Sequence, residues 1–471
     1  TVGEDIAFAL ENQCVAQPEM KQTVERVARL VDVENLLDQE PHALSGGQKQ
    51  RVSLAGVMVD DVKVLLFDEP LANLDPAAGK QTIELIDQVQ KKTGATVIII
   101  EHRLEDVLWR SVDRIVLMGE GRILADTTPE ALLAGDQLTE NGIREPLYIT
   151  ALKYAGVSLE AEKKPAHVNT LLLTEQDKAA VRDWYRQTVV RPQPPAAAPL
   201  LEVKDLCFGY SEGVTNLRDV SFTLNEGEMV SIVGRNGAGK STLAKLICGF
   251  ETPRSGSIRL NGRDLAGDTI KERAAHIGYV MQNPNQMISQ SLIFDEVALG
   301  LRTAKLPEDE VERRVNEALT VCGLYPFRKW PVSALSFGQK KRVTIASVLV
   351  MQPRVLILDE PTAGQDFRHY TEIMEFLRSL NQKGYTVIMV THDMHLMLEY
   401  TSRALVFSQS RMIGDLPPAR LLCSEELVEQ AALKETSLFT LAQQCGIQPP
   451  EAFVQHFIDY DREVRDKWQT V

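Results

Sequence analysis

The stretch SIVGRNGAGKSTLAKLICG, residues 231–249, decides the fold of this chain. Apolar residues lead into Gly234-x-x-x-x-Gly239-Lys240-Ser241, and apolar residues at helical spacing follow. The order is therefore buried strand, glycine loop, helix. Glycines let consecutive backbone N–H groups converge on phosphate oxygens, and the helix start adds the positive end of its dipole. Lys240 is expected to reach the β- and γ-phosphates and Ser241 to ligate Mg²⁺. Asn236, Gly237 and Thr242 complete the loop.

Further along, RVLILDEP (354–361) reads as a buried parallel strand ending in two carboxylates. Chemistry gathers at the carboxyl ends of such strands. Asp359 is expected to hold Mg²⁺, directly or through water. Glu360 is expected to orient and polarise a water for in-line attack on the γ-phosphorus. Adjacent acids at a strand end are more often a solvated turn; their place 119 residues after Lys240 (359 − 240), inside a duplicated block, favours the catalytic role. YTVIMVTHD (385–393) is another buried strand, and its His392 is suited to sensing the γ-phosphate. A lone histidine is usually a satisfied core group, but this one recurs as His102 in ATVIIIEHR. Gln282, in GYVMQNPNQM (278–287), is a candidate contact to Mg²⁺ and water; Tyr210, in LCFGYSEG (206–213), could stack on adenine. Glutamine and tyrosine also commonly occupy such places for solvation or packing.

The chain repeats itself. Residues 44–75 match residues 335–366 at an offset of 291, with 17 of 32 positions identical. The same offset lays 2–10 over 293–301 without a gap. Each copy contains a short polar loop before an amphipathic helix: LSGGQ (44–48) and LSFGQ (335–339). Ser45, Gly46, Gly47 and Gln48, and in the second copy Ser336, Gly338 and Gln339, thus sit at a helix N-terminus, again a phosphate-binding arrangement. Each loop lies too close in sequence to its own acidic strand to wrap the same nucleotide face. The second copy continues upstream from 292 to about 200, where the glycine loop lies, whereas the only glycine before residue 44 is Gly3. With Thr1 in place of an initiator methionine, the first copy is expected to be incomplete and the chain to be a fragment of a longer tandem protein.

Composition bounds the function. The chain has 471 residues, 44% hydrophobic and 25% charged, ordinary usage for a globular protein of several domains. A net charge of −14 disfavours a nucleic-acid partner. Six scattered cysteines without a C-x-x-C pair argue for free thiols rather than a metal centre or disulfide framework. Apolar runs such as ATVIII and YTVIMV have strand length, far short of the roughly 18 residues a membrane span needs. The expected domains are 1–145, the end of the first copy; 146–199, a mixed connecting segment closing in the Pro/Ala linker VRPQPPAAAP (190–199); 200–420, a complete second copy; and 421–471, a small helical appendage.

Together the glycine loop, Gln282, the LSGGQ-type signatures, FDEP and LDEP, the loops ending in Asp75 and Asp366, and the histidines resemble ATP-binding cassette ATPases over nearly the whole chain. Within that family, FDEPLANLDP, IEHRLEDV, QNPNQMI, DEPTAGQD and EPLYITALKYAG resemble the fused tandem ATPase subunit of energy-coupling-factor transporters, which import vitamins, their precursors and transition-metal ions. The combination is similar to the branch for hydroxymethylpyrimidine and thiamine. The resemblance implies an α/β fold of tandem P-loop NTPase cassettes, each a mixed sheet core with a helical signature subdomain, the first incomplete. It implies ATP and Mg²⁺ as ligands, integral membrane subunits as partners, and a peripheral place on the cytoplasmic face of the membrane. It also implies head-to-tail pairing, in which Ser45 to Gln48 close on ATP held by the second copy. Asp68, Glu69 and His102 would then share the other site with Ser336, Gly338 and Gln339. Phe337 departs from the family's glycine and would crowd a phosphate-facing backbone, so the two sites are expected to be unequal, with the one built on the second copy's glycine loop the more competent.

A second class of function is a tandem cassette ATPase acting on ribosomes or DNA. The connecting region has mixed charge and ends in Pro/Ala, without the long charged arm or cysteine cluster that class carries. A paralogue that binds ATP without turnover is disfavoured by the intact Glu360 and His392.

Overall fold

The computed structural model describes residues 1–471 except 61, 73, 188–196, 364, 366, 470 and 471, with backbone alone at 468 and 469. Asp366 and most of the expected linker therefore lie outside the described residues. The chain forms two compact units, one of 1–153 with 158–174, the other of 154–157 with 175–471.

The first unit carries strands β1 (Val64–Asp68) and β2 (Thr96–Ile100), paired in parallel, and an antiparallel hairpin β3 (Ile115–Gly119) and β4 (Arg122–Thr127). The second carries an antiparallel sheet of β5 (Pro199–Phe208), β6 (Leu217–Asn225), β8 (Ser255–Leu260) and β9 (Arg263–Asp264). It also carries a six-stranded sheet in the order β10 (Ile277–Val280), β11 (Val355–Asp359), β12 (Thr386–Val390), β7 (Met229–Gly234), β13 (Arg403–Ser408) and β14 (Arg411–Leu416). All neighbours in that sheet run parallel except β13 and β14.

Every residue of β7 and β12 is buried, as expected of central strands covered on both faces. Alternate residues of the six-stranded sheet supply two cores. Val355 and Ile357 face the antiparallel sheet and the helix Lys240–Cys248, while Leu356 and Leu358 join the core made by the helices Ile293–Thr303, Glu308–Val321, Phe337–Leu349 and Phe367–Gln382.

The repeat holds element by element. Helices Val2–Asn12, Gln17–Leu30 and Gly46–Met58, and strand β1, recur 291 residues later with the same bounds. Among the described residues the first copy has no match for β5 to β10 or the helix Lys240–Cys248. In the second unit β7 sits between β12 and β13. In the first, among the described residues, no strand joins β2 to β3, and the sheet falls into two pairs. One face of β1 and β2 packs on helices through Leu65, while Val64, Leu66, Ile98 and Ile100 stay exposed. Leu66 is 65% exposed and its match Ile357 is 0% exposed, because Ile357 lies in the core closed by β5, β6, β7 and the helix Lys240–Cys248.

The connecting segment contains helices Leu147–Tyr154 and Glu175–Tyr185. Tyr154 and Trp184 pack with the C-terminal helix Pro450–Gln469, Trp184 meeting Phe453, His456 and Tyr460 edge-on at 4.7 to 5.8 Å between ring centres. No helix among the described residues is long and apolar enough to cross a membrane.

Candidate functional site

The glycine loop of the second unit leaves β7 at Gly234 and enters the helix Lys240–Cys248. Gly234 has φ +137° and a Cβ there would run into the backbone of Phe407; Gly239 has φ +100° and a Cβ would lie 2.6 Å from the Asn216 carbonyl oxygen. Only glycine is tolerated at either position. Gly237, at φ +79°, faces open space. Gly239 caps the helix without any side-chain hydrogen bond, so the first-turn N–H groups at Lys240, Ser241 and Thr242 point toward the loop. Lys240 is buried, its Nζ donating to the carbonyls of Gly234 (2.6 Å) and Arg235 (3.0 Å). A cradle of glycines, an uncapped helix start and a buried ammonium fit a polyphosphate.

The two acids stand beside it. Asp359 ends β11, and Tyr279 of β10 donates its hydroxyl to Asp359 Oδ2 at 2.9 Å. Ser241 also hydrogen-bonds Asp359. Burial pushes the Asp359 carboxyl above its ordinary range, and these two donors pull it back. Burial likewise pushes the Tyr279 hydroxyl well above the ordinary phenol range, with Asp359 beside it adding to the effect. Tyr279 thus remains a donor. Glu360 follows at φ +46°, and its Oε1 lies 2.7 Å from Nδ1 of His392, with the Thr391 hydroxyl 3.4 Å from its other oxygen. His392 and Glu360 are both nearly covered, at 11% and 12% side-chain exposure.

Ser241 and Asp359 offer hard oxygen donors to one point, as Mg²⁺ requires. No cluster of three or more His, Cys, Asp or Glu side chains suited to a metal occurs among the described residues. Gln282 lies two residues past β10, exposed. Tyr210 follows β5, half exposed and edge-on to Phe208 at 4.9 Å.

The first unit repeats the acidic half of this arrangement with looser geometry. Asp68 ends β1, and Glu69 turns at φ +45°, matching Glu360. His102 Nδ1 lies 3.8 Å from Glu69, with exposures of 35% and 44%. Where the second copy has Thr391 the first has Glu101, whose side chain is buried and lies 3.4 Å from the same imidazole nitrogen.

Both signatures cap their helices in the same way. Ser45 and Ser336 accept from the backbone N–H of Gln48 and Gln339, and those glutamines reach back to the serine N–H at 2.9 and 3.0 Å. A Cβ at Gly46 or Gly47 would meet nothing within 4 Å, so packing within their own unit does not require glycine there. In the second signature Phe337 is exposed, and Gly338 is buried beside Gln365 Oε1 and His369. The structure thus brings Lys240, Ser241, Asp359, Glu360 and His392 together in one unit. Ser45 to Gln48, Asp68, Glu69 and His102 belong to the other.

Tyr279, Thr391, Glu101 and Lys341 escape sequence reasoning. The signal for Glu101 was present in the repeat, as the one charged residue aligned to a threonine beside the recurring histidine.

Comparison with known proteins places these features. A family model described as ABC transporter matches residues 1–72 and 217–363. A second, described as ATP-binding cassette cobalt transporter, matches 135–208. A Clostridium perfringens protein named as a candidate ABC transporter ATP-binding protein is 58% identical over 466 residues, covering 99% of this chain and 82% of that protein. An Enterococcus faecalis protein of like name is 57% identical over 469 residues, covering 99% and 82%. A solved structure of cbiO1 from Clostridium perfringens, part of the ABC transporter complex cbiONQ, is similar at 37% identity over 49% of this chain and 93% of that one, with a TM-score of 0.46.

Proposed function

The chain belongs to the ATP-binding cassette family of transporter ATP-binding proteins, and from that premise we propose that it is the ATP-hydrolysing subunit of a membrane importer that takes up a small nutrient, a transition-metal ion or a vitamin precursor. The observation that carries the ATPase chemistry is the hydrogen-bonded pair Glu360–His392 at 2.7 Å, set beside Asp359 and the glycine loop. The importer class is supported by the cobalt-transporter family match over 135–208.

In the proposed cycle, backbone N–H groups of 237–242 and the Lys240 ammonium hold the β- and γ-phosphates. Ser241, Asp359 and Gln282 would hold Mg²⁺, which supplies charge neutralisation on the phosphate oxygens. Glu360 takes up the position of general base, and His392, oriented by the same carboxylate, marks the presence of the γ-phosphate. Tyr210 supports the adenine. The first signature, Ser45 to Gln48, is proposed to complete this site, and Asp68, Glu69 and His102 are proposed to serve a second site with Ser336, Gly338 and Gln339. The open space over Gly46 and Gly47 supports the first of these assignments, because glycine there answers to something other than their own fold. Binding that draws the two copies together supplies the differential affinity that a conformational switch needs. The motion is proposed to pass to separate integral membrane subunits at the cytoplasmic face, through the region following Gln282.

Two measurements test this. Glu360→Gln is expected to lower ATP hydrolysis at least a hundredfold, on the order expected for loss of a general base, while leaving ATP bound. A variant with near-parental turnover removes Glu360 from its role. Purified from its native membranes, the protein is expected to bring integral subunits with it; recovery with ribosomes instead would favour the other class of tandem cassette ATPase.

A further inference from the structure

Lys341 is a buried ammonium that the chemistry above does not use. It lies in LSFGQKKRV, in the helix Phe337–Leu349 whose first residues form the second signature, and it is 1% exposed. Its Nζ donates to the carbonyl oxygens of Met281 and Gln282, each at 2.8 Å. Burying an ammonium is costly unless its donors are satisfied and opposite charge is near. Burial pulls its pKa down to about 8, while the field of Asp359 and Glu360 favours the charged form. The cation is therefore set between the two acids of the site and the loop that carries Gln282.

At the matched position the first copy has Gln50, which donates to Pro70 O at 3.1 Å and leaves its Oε1 buried without a partner among the described residues. The matched residue is uncharged, and the segment that would correspond to Met281 and Gln282 is not part of this sequence (281 − 291 = −10). What lysine adds is a pair of hydrogen bonds to two consecutive carbonyls, which fix the orientation of the peptide joining Met281 to Gln282. Met281 is held from its other side as well, its N–H pointing to Met287 Sδ at 3.1 Å.

We propose that Lys341 is a positioning residue for the hydrolysis reaction: it pins the backbone at Gln282 to the second signature's helix, so that the Gln282 side chain is presented to the metal and the attacking water in step with that helix. This rests on the ATPase function proposed above. Lys341 acts through the backbone of Gln282.

The test is a double-mutant cycle on the full protein, with Lys341→Gln, Gln282→Ala and the pair, reading turnover and the half-saturating Mg²⁺ concentration. Lys341→Gln is expected to lower kcat roughly ten- to hundredfold, the scale of an ångström-level misplacement, and to raise the Mg²⁺ requirement, leaving Mg²⁺-free ATP affinity unchanged. In the Gln282→Ala background the same change is expected to cost less than about twofold, because the group it positions is gone. Additive losses overturn the proposal, as does parental turnover in Lys341→Gln. So does a Lys341→Gln protein that fails to fold, since the role would then be structural. If the parent does not hydrolyse ATP, or Glu360→Gln hydrolyses as fast as the parent, the ATPase function itself fails and this inference falls with it.

Discussion

At Glu360 and Glu69 the backbone enters the left-handed region at φ +46° and +45°, a conformation non-glycine residues rarely hold without cause. Both carboxylates are thereby aimed at a histidine, yet only the second copy closes the contact to 2.7 Å. Under the proposed pairing, Glu101 of the first copy, in place of Thr391, and Phe337 of the second, in place of Gly46, fall on the same site. Phe337→Gly in the full-length protein is accordingly expected to raise turnover, measured as steady-state phosphate release; an unchanged rate would mean the phenyl group does not limit that site. Tyr279→Phe removes one of the donors holding Asp359. It is expected to cost about 1 kcal/mol of stability, the usual net worth of such a bond, and to change the Mg²⁺ requirement of hydrolysis. A magnesium titration identical to the parent would show that Asp359 is oriented without it. What sequence could and could not reveal divides here by contact order. Gly234 and Gly239 are legible because they belong to one contiguous loop pattern whose positive φ values favour glycine. Tyr279 and Lys341 are not, because their partners lie 80 and about 60 positions away and no local pattern marks them.

Among elements, the strands Val355–Asp359 and Thr386–Val390 were plain as short apolar runs ending in polar residues, and the signature helices as amphipathic segments behind a serine cap. The role of the C-terminal helix was not, since its periodicity shows an apolar face without saying what that face meets. In the structure Arg465 bridges Asp461 at 2.9 Å and Glu399 at 3.1 Å, and donates to the Tyr400 hydroxyl at 3.2 Å. Burial opposes its charge, but Glu399 and Asp461 hold its pKa well above the ordinary guanidinium value. Tyr154 of the connecting segment donates to Asp461 at 2.7 Å. Glu399 and Tyr400 end the helix Met394–Tyr400, which begins two residues after His392. The C-terminal helix thus anchors the helix that follows His392. Arg465→Met removes the cation shared by the buried Glu399 and Asp461 and is expected to cost about 3–5 kcal/mol, read by denaturant unfolding; a loss below about 1 kcal/mol would show that their other partners suffice.

For the whole molecule, the duplication is the organising fact, and it was readable from 17 identities in 32 positions. Its structural consequence was not: the first copy keeps the helices and acidic strands, yet leaves Val64, Leu66, Ile98 and Ile100 exposed where the second copy buries their matches under the antiparallel sheet and the helix Lys240–Cys248. Periodicity does not separate the copies here, because β1 and β2 read as continuous apolar runs just as β11 and β12 do. The account holds that the first copy contributes its signature to the nucleotide held by the second. The most direct test is Mg²⁺-dependent ATP hydrolysis by the protein and by its Gly46→Asp variant, where the carboxylate would oppose phosphate at an otherwise open position. Hydrolysis present in the parent and lost in Gly46→Asp is the predicted result; equal rates in the two would contradict it.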